Sequence, residues 1–211
     1  HRIWLVVGYF DHPKNENRSV VFDATGKRRG HYVKSHLIYA LENYRAGTGK
    51  LLSIATALGK AASTSPSTSS AKGVLLGTMI CQDDNFTDLA RGYGRLGTQL
   101  MAVPTNDWLQ VKHYHLENSL FRAIENRYAI VRAATNGISA IVDPRGRVLA
   151  RCDHFVRGPQ VIVSDVTVYR RPHTLYSRFG DWFVLVCGVF LALGWLIGRR
   201  QRLTRKTAEE S

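Results

Sequence analysis

The chain has 211 residues, 45% of them hydrophobic and 21% charged, with a net charge of +13. That length holds one domain of ordinary size with residues to spare, and it buries a real core. The cations are scattered or crowd near the C-terminus without zinc-finger or helix-turn-helix spacing, so no nucleic-acid partner is expected.

In chain order, Ile3–Tyr9 reads as a strand beginning almost at His1, and the chain is read as a piece of a longer protein whose N-terminal part is absent. Ser19–Asp23 is a second strand, closed by Thr25-Gly26-Lys27, and His31–Lys34 resumes the extended pattern. Strand, glycine turn and strand make a meander with Lys34 at its end. Glu42 follows after an apolar stretch, and Leu51–Lys60 is a short helix or strand. Ala61–Ala71 is Ser/Thr-rich, too polar to pack, and reads as a flexible loop within the domain.

Gly73–Cys81 is an apolar run of strand length that ends in a thiol, with Asp83 and Asp84 directly after it. A nucleophile would sit at such a place. A free cysteine at a strand end is also a common small core residue. The other cysteines, Cys152 and Cys187, complete neither a disulfide framework nor a metal-ligand spacing.

Asp88–Gly97 is expected to be helical, and Gln99–Val103 is a strand stopped by Pro104. His115–Arg127 has helical spacing that places Leu116, Leu120, Ile124 and Phe121 on the buried side. Ala129–Ala134 and Ile138–Val142 flank Thr135-Asn-Gly137, and Asp143-Pro-Arg-Gly146 is a turn in which Pro presets φ and Gly takes the unusual conformation. Arg147–Ala150 and Gln160–Val166 are the last expected strands. Strand–helix alternation mixed with hairpins points to an α/β layered fold.

Trp182–Gly198 is an uncharged apolar run with Trp182 and Trp195 near its ends. It lies at the short end of the roughly 17–25 residues that cross a bilayer. Arg199, Arg200, Arg202, Arg205 and Lys206 follow it, which predicts a cytoplasmic tail and a domain on the outer face. Basic residues beside an apolar segment suit anionic lipid headgroups.

Set in order, Lys34…Glu42, Cys81-Gln-Asp83, Thr105-Asn-Asp-Trp108, His115…Arg122-Ala-Ile-Glu125, Arg132-Ala-Ala-Thr-Asn-Gly-Ile-Ser139, Asp143–Leu149 and Thr174–Trp182 form a connected pattern. It resembles the carbon–nitrogen hydrolase (nitrilase) superfamily. Within that superfamily it looks like the membrane branch that N-acylates bacterial lipoproteins, the apolipoprotein N-acyltransferases. The resemblance implies a nitrilase-like αββα sandwich, partial in this chain, over residues 1–176. A transmembrane helix over 177–198 and a basic tail over 199–211 would follow. It implies Cys81 as nucleophile, Lys34 as the catalytic lysine and Glu42 as a glutamate that orients it. Asp83, Asn106, Trp108, Arg122 and Glu125 would support them, with no metal and no cofactor.

The general-base glutamate of the family would lie upstream of His1, so this stretch alone is expected to be inactive. The implied reaction moves an acyl chain from a phospholipid, through a Cys81 thioester, to the N-terminal amine of a diacylglyceryl-cysteine apolipoprotein. Its setting would be the bacterial inner membrane, multi-pass in full length, with the domain on the periplasmic face. The same residues also suit a membrane-anchored amidase or a non-catalytic relative. Tyr39-Ala-Leu41, Gln82-Asp83 and Trp108-Leu-Gln-Val depart from the family pattern, and they bear on the pocket more than on the reaction type.

Overall fold

The computed structural model describes residues 3–56, 73–157, 160–169 and 173–209. The strands are β1 (Leu5–Asp11), β2 (Glu16–Phe22), β3 (Arg28–Val33), β4 (Ser53–Ala55), β5 (Leu75–Thr78), β6 (Leu100–Asn106), β7 (Ala129–Thr135), β8 (Ile138–Val142) and β9 (Val148–Asp153). The helices are α1 (Thr87–Arg95), α2 (Lys112–Asn126), α3 (His154–Arg157), α4 (Leu175–Phe179) and α5 (Trp182–Glu209). The chain divides into two compact units, His1–Arg178 and Phe179–Ser211.

In the first unit, β1-β2-β3 form an antiparallel three-stranded sheet, with Val7 opposite Val20 and Ser19 opposite Tyr32. The second sheet has six strands in the order β4-β5-β6-β7-β8-β9. Its β5, β6 and β7 run parallel, and the flanking pairs are antiparallel. Parallel strands buried on both faces read as near-continuous apolar runs, which is why Gly73–Cys81 lacks alternation.

The two sheets meet closely. Ser19 Oγ lies 2.7 Å from Thr78 Oγ1, and a Cβ on Gly8 would come within 2.8 Å of Pro104 Cβ. On the other face of β6, Met101 and Val103 are fully buried in a core with Leu89, Tyr93, Leu116 and Ala123 from α1 and α2. A helix layer on one sheet and a second sheet behind it give the layered, nitrilase-like α/β arrangement that positions the site.

Several elements differ from expectation. β6 does not stop at Pro104 but continues to Asn106. Ala102 turns its carbonyl to Met79 N at 3.2 Å, and Pro104, two residues on, faces the same way. Pairing with β5 ends at Ala102, so the N–H that proline lacks would have had no ladder partner.

Residues 160–166 form no strand, and Val161 and Val163 are exposed. On α2 the expected apolar stripe is rotated. Leu116 is buried, but Phe121 and Ile124 are exposed, while His115, Ser119, Arg122 and Asn126 are buried. The flexible loop expected at Ala61–Ala71 and the far half of Leu51–Lys60 lie outside the described residues, whereas Ser53–Ala55 is strand.

In the second unit, α5 carries an apolar stretch over Trp182–Arg200, 19 residues with mean hydropathy 1.9, and none of that stretch is buried. By length and composition it can span a membrane.

Candidate active site

β5 delivers the chain to Cys81, which begins a 3₁₀ turn running to Asn85. Cys81 has φ 47°, the left-handed region that non-glycine residues rarely occupy. Such a conformation costs of order 1–3 kcal/mol and persists only where its surroundings impose it. Here the surroundings include Ile80 N, which donates to Asp83 Oδ2 at 3.2 Å. Cys81 is buried, and its Sγ lies 3.6 Å from the Asn106 carbonyl at the end of β6.

Lys34 follows β3 directly and is fully buried. Its backbone is clamped on both sides, Lys34 N donating to Asn17 O at 2.9 Å and Lys34 O accepting from Gly47 N at 2.7 Å. A Cβ on Gly47 would lie 2.4 Å from Val33 O, so this close approach requires glycine.

The Lys34 ammonium donates to both carboxylate oxygens of Glu42, at 2.6 and 2.7 Å. Glu42 is held in turn by Ile38 N, which donates to Oε2 at 2.7 Å. The turn between Ile38 and Glu42 leaves Tyr39 and Leu41 exposed. Burial pushes the Cys81 thiol above its ordinary pKa, and the nearby Lys34 charge is the strongest influence opposing that rise. Lys34 therefore favours the thiolate, as a cation beside a thiol does.

Asp83 is fully buried and ties the two halves together. Its Oδ1 accepts from Ser35 N at 3.1 Å and His36 N at 2.8 Å. Its Oδ2 accepts from the Tyr32 hydroxyl at 2.9 Å as well as from Ile80 N. His36 Nδ1 lies 3.0 Å from Oδ1, and the His36 ring stacks on Phe86 at 3.7 Å. One carboxylate thus joins the segment after Lys34 to the residue before Cys81.

A second buried network lies behind the thiol. Asp107 accepts from Arg132 Nη2 at 2.7 Å and pairs with His115 Nδ1 at 2.7 Å. Arg132, fully buried, also donates to Ser119 Oγ at 3.2 Å and lies 3.5 Å from Asp84. Ser119 donates to Asp84 in turn. Burial would raise the Asp107 pKa, but the His115 hydrogen bond and the Arg132 charge outweigh it and hold the carboxyl below its usual range. At Asp84 burial wins over Arg132, and the pKa rises. A Cβ on Gly137 would sit 2.6 Å from Asp107 Oδ2, so glycine there leaves room for the carboxylate.

The residues singled out from the sequence are distributed as follows. Lys34 pairs with Glu42 and Cys81 meets Asn106, and Asp83 joins Ser35 and Ile80, the chain neighbours of Lys34 and Cys81. Asn106 also accepts from Asn136 Nδ2 at 3.1 Å. Trp108 is partly exposed, and its ring meets His115 edge-on at 6.2 Å. Arg122 and Glu125 pair with each other at 3.2 Å on the later turns of α2. His36, Asp84, Asp107, His115, Ser119 and Arg132 were not assigned site roles from the sequence. Asp107, His115 and Arg132 stand in the ordered motifs without a role attached, and His115 and Ser119 also fall with Arg122 on a polar stripe at helical period.

A match to the carbon–nitrogen hydrolase family covers residues 1–171. The chain belongs to the carbon–nitrogen hydrolase family. It is 35% identical over 123 residues to apolipoprotein N-acyltransferase 1 of Treponema denticola, covering 56% of this chain and 22% of that protein. It is 32% identical over 116 residues to the apolipoprotein N-acyltransferase of Geobacter metallireducens, covering 53% and 22%. The chain thus spans less than a quarter of the length of these curated relatives.

Solved structures of the same fold include Saccharomyces cerevisiae Nit3, of the nitrilase superfamily, at 24% identity and TM-score 0.55, covering 70% of this chain and 54% of that one. An amidase from Nesterenkonia sp. matches at 20% identity and TM-score 0.56, covering 72% and 57%.

Proposed function

We propose that this chain carries the acyl-transfer site of an N-acyltransferase, with residues 1–176 as the carbon–nitrogen hydrolase domain, 177–198 as a membrane span and 199–211 as a basic tail. The observation that carries the reading is the fully buried Lys34, doubly bonded to Glu42 and acting electrostatically on the Cys81 thiol. The N-acyltransferase relatives and the apolar helix α5 favour acyl transfer in a membrane over hydrolysis in solution.

In the proposed reaction the Cys81 thiolate attacks the ester carbonyl of a phospholipid, forming a C–S bond. The Lys34 ammonium, held by Glu42, stabilises the developing oxyanion; one such donor is typically worth about 3–4 kcal/mol. The C–O bond breaks, and the lysophospholipid leaves with a proton. The α-amine of a diacylglyceryl-cysteine apolipoprotein then attacks the thioester. The C–S bond breaks, the amine nitrogen gives up a proton to solvent in place of the one the lysophospholipid took, an amide forms and the thiolate returns. Asp83, Asn106 and Trp108 shape the site, and Arg122 and Glu125 brace α2.

Incubating the full-length protein with acyl-labelled phospholipid is expected to leave hydroxylamine-sensitive label on Cys81, discharged by a diacylated peptide. Cys81→Ser is expected to lower transfer by about 10³-fold or more. Full transfer by Cys81→Ser would end the proposal, and discharge by water that the peptide does not accelerate would favour an amidase.

The proposed setting is the bacterial inner membrane, as part of a multi-pass protein, with the domain on the periplasmic face and the tail in the cytoplasm. A cysteine placed at Ser211 in intact cells is expected to resist a membrane-impermeant maleimide. Labelling before permeabilisation would reverse this topology.

A further inference from the structure

The Cys81 sulfur, a carboxylate oxygen of Asp107 and an imidazole nitrogen of His115 all lie within 4.8 Å of one another, and all three residues are buried. We propose that these side chains form a site for a thiophilic divalent cation, Zn²⁺ foremost, that reversibly blocks the Cys81 thiol. The inference goes beyond acyl transfer, since it asks of Cys81 only that it ligate.

The donor set fits that class of ion. Thiolate and imidazole together select zinc-like metals over Mg²⁺ or Ca²⁺, which take oxygen ligands. Three protein ligands leave a fourth tetrahedral position for water. The ligands come from three places fixed independently: the turn after β5, the residue after β6 and the first turns of α2. His115 Nδ1 and Asp107 Oδ1 are 2.7 Å apart in a hydrogen bond, and a small opening of that pair would let both reach one tetrahedral ion.

Binding needs only small proton movements. The thiol releases its proton to solvent as the S–metal bond forms. A proton on the ligating imidazole nitrogen leaves or moves to the other ring nitrogen. Asn85 Nδ2 lies 3.3 Å from His115 Nε2, next to that second ring nitrogen.

The charge balance also allows it. Arg132 bridges Asp84 and Asp107, so when a cation takes Asp107, Arg132 keeps Asp84.

The test uses the purified, metal-free chain titrated with Co²⁺ and then Zn²⁺. One equivalent of Co²⁺ is expected to produce a near-ultraviolet thiolate-to-cobalt charge-transfer band that Zn²⁺ abolishes. Zn²⁺ is also expected to slow iodoacetamide alkylation of Cys81, read by peptide mass spectrometry, with chelator restoring the rate. Cys81→Ser should remove the band, while Cys152→Ser and Cys187→Ser leave it. His115→Gln should weaken binding by about 10-fold or more. Circular dichroism of each variant separates loss of a ligand from loss of fold. No band in the parent chain, or a band that survives Cys81→Ser, overturns the proposal.

Discussion

Replacing Lys34 with methionine is expected to slow alkylation of Cys81 near neutral pH by about tenfold or more and to move the rate profile to higher pH. The sign follows from the opposing influences on the thiol. Burial raises its pKa, and Lys34 is the strongest influence lowering it. Without the ammonium only the weaker Asn106 hydrogen bond and Arg132 charge oppose the rise, and the Glu42 carboxylate, freed of its partner, adds repulsion to a thiolate. The thiolate is the reacting species, so a pKa higher by one unit means about tenfold less of it below both pKa values. Well above both, the parent and the variant converge. That convergence separates electrostatic control from a blocked approach to the sulfur, which would slow alkylation equally at every pH.

Peptide mapping keeps Cys152 and Cys187, which are not fully buried, out of the measurement. A Lys34→Met profile superimposable on the parent's would mean that Lys34 does not govern the thiol. Lys34→Arg is a stringent companion. It keeps the charge, but in a fully buried position the planar guanidinium cannot reproduce a compact ammonium that meets both Glu42 oxygens.

What was legible in the sequence divides along a physical line. Strands with apolar runs, such as Ile138–Val142, were found at their observed bounds because burial on both faces writes itself into composition. The helix at Thr87–Arg95 and the turn closing on Gly146, with φ 80°, were equally plain.

The misses arise where a polar side chain is buried or an apolar one is exposed. The α2 stripe was misjudged because His115, Ser119 and Arg122 face inward, and polarity alone cannot reveal that Asp84, Asp107 and Arg132 await two of them. Residues 160–166 are rich in Val and Ile as a strand would be, yet among the described residues no strand pairs with them. At the site, Lys34 and Glu42 appeared as a local pair. The conformation of Cys81 and the gathering of donors on Asp83 depend on contacts far apart in sequence, and no local pattern carries them.

Asp83→Ala is expected to destabilise the domain by about 3–5 kcal/mol, read by urea unfolding followed by circular dichroism. Whole domains have only about 5–15 kcal/mol of stability, so this is among the largest single effects available. Removing the carboxylate strands the N–H groups of Ser35, His36 and Ile80 and leaves the Tyr32 hydroxyl with Ser35 Oγ alone. Each buried donor left unpaired costs about 1–3 kcal/mol, less whatever water recovers.

Asp83→Asn is the sharper probe of function. It keeps the volume but turns one acceptor into a donor that faces other donors, so the grip fails on one side. Ser35 adjoins Lys34 and Ile80 adjoins Cys81, so the loss should loosen the spacing between ammonium and thiol. In a double-mutant cycle, Lys34→Met should therefore slow Cys81 alkylation less in the Asp83→Asn background than in the parent. Were the Lys34 effect undiminished there, Asp83 would serve only to hold the fold together. A diminished effect would make it the residue that sets the reach of one site group to the other, which explains a full carboxylate buried between two loops.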